Sequence, residues 1–129
     1  MPSLMQIGEL SERTKVSHRT IHYYERLGLL APAERQGTGY RYYDENAVRR
    51  LEKIAALKRL GLSLDEIAAV IELYFEDGTG IKGKTRVVEI LEGQLARTNA
   101  QLKELNTFRD DLIANIARMK QLIAVAQGE

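Results

Sequence analysis

The sequence predicts a mainly α-helical chain: a small head of short helices with one two-stranded β-hairpin, followed by a single long helix. Three observations carry this. Apolar residues recur at helical spacing between good capping residues over most of the first 75 positions. A tyrosine run behind two glycines interrupts them once. From about residue 84, apolar positions repeat at alternating steps of three and four. At 129 residues the chain has room for one compact domain plus an extension, and not for a large enzyme core.

In chain order, Ile7 to Thr14 fits a short first helix and Lys15-Val16 a tight turn. Ser17 is a good N-cap for a second helix, with Val16 and Ile21 placed as a hydrophobic staple and Gly28 ending it at low cost. One face of that helix, Ile21, Tyr24 and Gly28, is expected to pack inward. The other carries His18, Arg19, His22, Tyr23 and Arg26, a set of donors and cations without an acid. It suits a groove lined by phosphates and base edges.

Gly37 and Gly39 precede Tyr40-Arg41-Tyr42-Tyr43, which predicts a hairpin with Tyr40 and Tyr42 on one face and Arg41 and Tyr43 on the other. Such a hairpin beside a helix-turn-helix is a wing, so the head is a winged helix-turn-helix, with Arg41 and a tyrosine hydroxyl able to reach phosphate. Asp44 caps a third helix with Val48, Leu51, Ile54 and Ala55 as its buried stripe and Gly61 as its end. Ser63 and Glu66 fit a capping box, and Ile67, Val70, Ile71 and Tyr74 give the fourth helix its inner face. The turn between these helices makes a second small wing, with Lys58 and Arg59 facing phosphate.

In the last third, Val88, Leu91, Leu95, Thr98, Leu102, Leu105, Arg109, Leu112, Ile116, Met119 and Ile123 form a coiled-coil seam broken by Thr98 and Arg109. A helix over 84–126 would be roughly 60 Å long, too long to bury its stripe on so small a head. A homodimer is therefore expected, with Leu91, Leu95, Leu102, Leu105, Leu112, Ile116 and Met119 in the interface. Arg109 would select register or extend its charge to solvent.

Composition narrows the function classes. The chain has no cysteine, which excludes disulfides, thiolate metal sites and thiol redox sensing. Residues 1–62 carry 11 Lys+Arg against 7 Asp+Glu, and residues 63–129 carry 8 against 11, so positive charge gathers where the basic helix lies. No apolar run approaches a membrane span and no signal peptide is visible, which leads to the expectation of a soluble cytoplasmic protein.

Ile7-Gly8-Glu9-Leu10, Val16-Ser17, Thr20-Ile21-His22-Tyr23-Tyr24-Glu25, Gly28-Leu29-Leu30, Gly39-Tyr40-Arg41-Tyr42-Tyr43 and Leu60-Gly61-Leu62-Ser63-Leu64-Asp65-Glu66-Ile67 follow one another in a specific order and spacing. By these motifs the first 75 or so residues resemble the DNA-binding domain of the MerR family of bacterial transcription regulators. His22 departs from it, since the family more often has arginine there. The resemblance implies a DNA-binding domain over 1–75, a hinge over 76–83 and an antiparallel coiled-coil dimerisation helix over 84–126. It further implies promoter DNA and RNA polymerase as partners, with transcription controlled by distorting the promoter spacer. Ser17, His18, Arg19, His22, Tyr23, Tyr40, Arg41, Lys58 and Arg59 are the expected DNA contacts, with His18, Arg19 and His22 for base edges. With the last residues assigned to the long helix, no separate effector domain is expected. Either a small ligand sits around Tyr74 to Lys84, or none exists and abundance sets the output. An architectural protein that bends DNA with little sequence choice is the first alternative, and a protein-interaction adaptor that uses the coiled coil is the second.

Gly78-Thr79-Gly80-Ile81-Lys82-Gly83-Lys84-Thr85 matches the phosphate-loop string, but an amphipathic helix precedes it where a buried strand is needed. A hinge is the expected reading, with anion binding at the following helix left open. His18 and His22 lie one turn apart, yet with no cysteine or third histidine no metal site is expected. No cofactor and no catalytic group are expected.

Overall fold

The computed structural model describes residues 4–32, 34–36 and 40–128. The elements run α1 (Ile7–Thr14), α2 (His18–Arg26), β1 (Glu34–Gln36), β2 (Tyr40–Tyr42), α3 (Glu45–Arg59), α4 (Leu64–Glu76) and α5 (Ile81–Gly128). They divide into two compact units, Met1–Val87 and Val88–Glu129.

Local chemistry sets the helix starts in the first unit. The Ser17 side chain accepts from the Thr20 amide at 3.1 Å, and Asp44 accepts from the Asn46 amide at 3.0 Å. Ser63 and Glu66 complete a capping box, at 3.2 Å from the Glu66 amide and 2.9 Å from the Ser63 amide. Two helices stop in one way. After α2, the Gly28 and Leu29 amides donate to the Glu25 and Tyr24 carbonyls; after α3, the Gly61 and Leu62 amides donate to those of Lys58 and Leu57. These are Schellman ends, with glycine at φ 78° and φ 98°, each built on the string Arg-Leu-Gly-Leu. Gly28 is therefore exposed and lies beyond the helix; it is not on the inward face expected of it, because a left-handed terminator turns the chain away. Leu29 and Leu30 go inward in its place.

The first unit's core is Leu10 of α1, Ile21 and Tyr24 of α2, Tyr43, a stripe of α3 (Ala47, Val48, Leu51, Ile54, Leu57) and Ile67, Val70 and Ile71 of α4. The hairpin pairs antiparallel, Glu34 with Tyr42 and Gln36 with Tyr40, and residues 37–39, where its turn is expected, lie outside the described residues. It has one unforeseen addition, since Met5 pairs with Tyr43 through two backbone bonds of 2.8 and 2.7 Å. Arg50 ties the loop after α2 to α3 and α4, donating to the Leu29 carbonyl at 2.9 Å and to Glu72 at 2.6 Å.

The loop between α4 and α5 is shorter than the segment 76–83 expected for a hinge. α4 reaches Glu76 and α5 begins at Ile81, so 81–83 belong to a helix that ends at Gly128. The Tyr74 ring lies over Gly83 so closely that a Cβ there would come within 2.4 Å of it. Lys53 sits 4.3 Å from the centre of that ring. In the second unit every described residue from Leu95 to Gly128 is exposed.

Candidate nucleic-acid interface

α2 presents the expected basic face. His18, Arg19, Tyr23 and Arg26 are exposed and His22 is half-buried, while Ile21 and Tyr24 hold the opposite side in the core. Arg26 lies over the Tyr23 ring, 5.7 Å from its centre. Lys15, in the turn before α2, has φ 61° and lines a groove of about 410 Å³ with Ser17, Thr20 and Lys58. Ser17 and Lys58 are thus brought together and Lys15, which sequence reasoning passed over, joins them. Arg59 is exposed on the last turn of α3 and does not line that groove.

On the wing, Tyr40 is 65% exposed, whereas Tyr43 is fully buried and serves the core. Arg41 and Tyr43 share a face as the alternation requires, and both reach Glu25 of α2. The Tyr43 hydroxyl donates to Glu25 Oε1 at 3.0 Å, and Arg41 Nη1 lies 3.4 Å from the same oxygen. His22 Nδ1 stands 3.1 Å from that oxygen and 2.8 Å from Arg41 Nη1. The basic face therefore has an acid at its edge, only 11% exposed, that gathers two of the expected DNA contacts. Arg41 Nε is buried without a hydrogen-bond partner among the described residues, an arrangement that costs about 1–3 kcal/mol. Burial, and then the bond to Glu25, pushes the Tyr43 hydroxyl up to about 12. Glu25 was legible as a neighbour of His22 at helical spacing, but its bonds to the wing depend on tertiary register.

The glycine-rich string before α5 supplies its own anion. Asp77 Oδ1 accepts from the Thr79 amide at 2.9 Å, the Thr79 hydroxyl at 2.6 Å and the Gly80 amide at 3.1 Å. The Thr79 hydroxyl oxygen accepts from the Ile81 amide at 3.1 Å. Amides that a phosphate loop would turn on a nucleotide are thus already bonded, and the hydrogen bond from the Thr79 side chain holds the Asp77 carboxyl below its usual range. Among the described residues no three His, Asp or Glu side chains gather as a metal site, and no helix is long and apolar enough to cross a membrane.

The expected seam is open to solvent: Leu95, Leu102, Leu105, Leu112, Ile116 and Met119 are 45–63% exposed, and Leu91 is half-buried. Phe108, Ile113 and Leu122, also exposed, lie on either side of the stripe and make the apolar face wider than the seam alone.

Comparison with known proteins agrees with this geometry. The family model of MerR helix-turn-helix regulatory proteins matches residues 5–73, and a second model, described as MerR, DNA binding, matches 48–115. Nodulation protein NolA of Bradyrhizobium elkanii is 40% identical over 83% of this chain. The chain spans 41–44% of the length of the NolA proteins it matches. The HTH-type transcriptional regulator HmrR of Rhizobium leguminosarum bv. viciae is 36% identical over 84% of this chain and 81% of its own length. The transcription regulator PbrR691 of Ralstonia metallidurans CH34, solved in complex with lead(II), superposes with a TM-score of 0.66 at 30% identity, over 84% of this chain and 82% of its own. The chain belongs to the MerR family of helix-turn-helix regulatory proteins.

Proposed function

We propose that this chain is a sequence-specific DNA-binding regulator of transcription that acts as a homodimer in the cytoplasm, with no catalytic step of its own. The observation that carries this reading is the exposed cationic face of α2 beside the wing, on a helix whose other face is locked into the core. α2 enters the major groove, with His18, Arg19 and His22 at base edges and Arg19 the natural partner of a guanine. Ser17, Tyr23, Tyr40, Arg41, Lys58 and Arg59 hold phosphates, and Lys15 joins them.

The apolar face of 88–126 pairs two copies, antiparallel as in the resembled family. Two heads at a set spacing then read a pseudo-palindromic site and distort promoter DNA that RNA polymerase also engages. The domain reading that goes with this is a DNA-binding head over 1–75 and a dimerisation helix over 84–126, joined through a hinge over 76–83.

Selection of bound fragments from genomic DNA yields the operator. On that operator Arg19→Ala should lose about 1–3 kcal/mol of discrimination while binding to random DNA hardly changes. Equal losses on both would remove the base-reading role and favour an architectural protein that bends DNA with little sequence choice.

A further inference from the structure

His22, Glu25 and Arg41 hold an arrangement that contact with DNA does not by itself require. A ring nitrogen either donates or accepts, so Nδ1 of His22 cannot satisfy both Arg41 at 2.8 Å and Glu25 at 3.1 Å at once. In the neutral ring with its proton on Nε2, Nδ1 accepts from Arg41 and holds the guanidinium inward. In the imidazolium both nitrogens carry protons, so Nδ1 donates to Glu25 and a positive charge is set against Arg41. Among the described residues the other charged and titratable neighbours are Arg26, which lines the same groove, His18 one turn back on α2, and Tyr40 and Tyr43 of the wing. Gln6 and Ile7, at the start of α1, line this region without charge. Imidazoles are the side chains that ordinarily change charge between about pH 5 and 8.

We propose that Glu25 is a positioning residue for DNA binding, and that with His22 and Arg41 it forms a proton-linked latch between α2 and the wing. This rests on the reading of α2 and the wing as the DNA interface. A duplex favours the open latch twice, by attracting the imidazolium and by offering phosphate to a guanidinium whose Nε is buried unpartnered, among the described residues, when latched. The bound state then holds more protons than the free state. Affinity accordingly rises as pH falls, by at most about tenfold per pH unit for one proton.

The test is the affinity of the full chain for its selected operator at about pH 6 and about pH 8 at fixed salt. The wild type should bind roughly threefold to tenfold more tightly at the lower pH, with proton uptake visible by calorimetry in buffers of different ionisation enthalpy. The chain has two histidines, which makes the assignment clean. His22→Gln should remove most of the pH difference, whereas His18→Gln, which also faces DNA, should lower affinity at both pH values and keep the larger part of the ratio. Glu25→Gln should weaken binding at both pH values and shrink their ratio, with folding checked by circular dichroism; if it fails to fold, the histidine pair alone decides.

Equal wild-type affinity at both pH values, or a His22→Gln variant that keeps the full ratio, overturns the latch and leaves the DNA interface standing. A wild type that binds no DNA at either pH overturns both.

Discussion

The two units bury their apolar residues in opposite ways. Helices α1 to α4 enclose most of theirs, so that Leu10, Ile21 and Ile67 are wholly inside, together with Tyr43 beside the hairpin. From Leu95 on, the rod leaves Leu105 at 63% and Phe108 at 58% exposure. The head has a hydrophobic core of its own, whereas the rod's wide apolar face is stable in water only against another surface. Mutations that break association should therefore differ cleanly from mutations that break folding.

The largest expected effect is on the rod. Leu105→Asp together with Met119→Asp should weaken self-association by at least about 100-fold, through lost apolar burial and buried charge. Sedimentation would record monomers while the head kept its own melting transition; a dimer that persisted would place the interface elsewhere. Gly83→Ala comes next, because its Cβ would meet the Tyr74 ring at 2.4 Å. A loss of about 1–3 kcal/mol is expected in thermal unfolding, and most of it should disappear when the substitution is made in a Tyr74→Ala background, where Cγ and the ring are gone. Ser63→Ala removes half of the capping box and should cost about 1 kcal/mol without altering association.

The pH response sharpens the contrast at the buried phenol. Tyr43 ionises at about 12 in the folded state, above its ordinary 10.0. Its contribution is complete below the unfolded value and is lost as pH rises from about 10 to about 12. Tyr43→Phe should remove the last-titrating phenol from the ultraviolet titration.

What could be read from the chain followed the range of the interactions. Ser17, Asp44 and Ser63 act within three residues of themselves, and their caps stand as expected. Helical period places Val48, Leu51 and Ile54 of α3 and Ile67, Val70 and Ile71 of α4 inside as expected, while Ala55 and Tyr74 are only half-buried and Ala47 and Leu57 complete the α3 stripe. Glu25 was missed because Arg41 and Tyr43 reach it from 16 and 18 residues away. The start of α5 was misplaced because the Asp77 carboxylate organises the turn, and the pattern of glycines and lysines conceals that. The breadth of the rod's apolar face escaped a narrow heptad reading, which skipped Phe108, Ile113 and Leu122.

Lys15 holds a left-handed backbone at φ 61° that glycine adopts freely, and it is the only such non-glycine residue among those described. Lys15→Gly should raise stability by about 1 kcal/mol, while stripping one cation from the groove beside Ser17 and Lys58. Melting temperature and DNA affinity would then move in opposite senses, the sign of a turn kept taut for the sake of its charge.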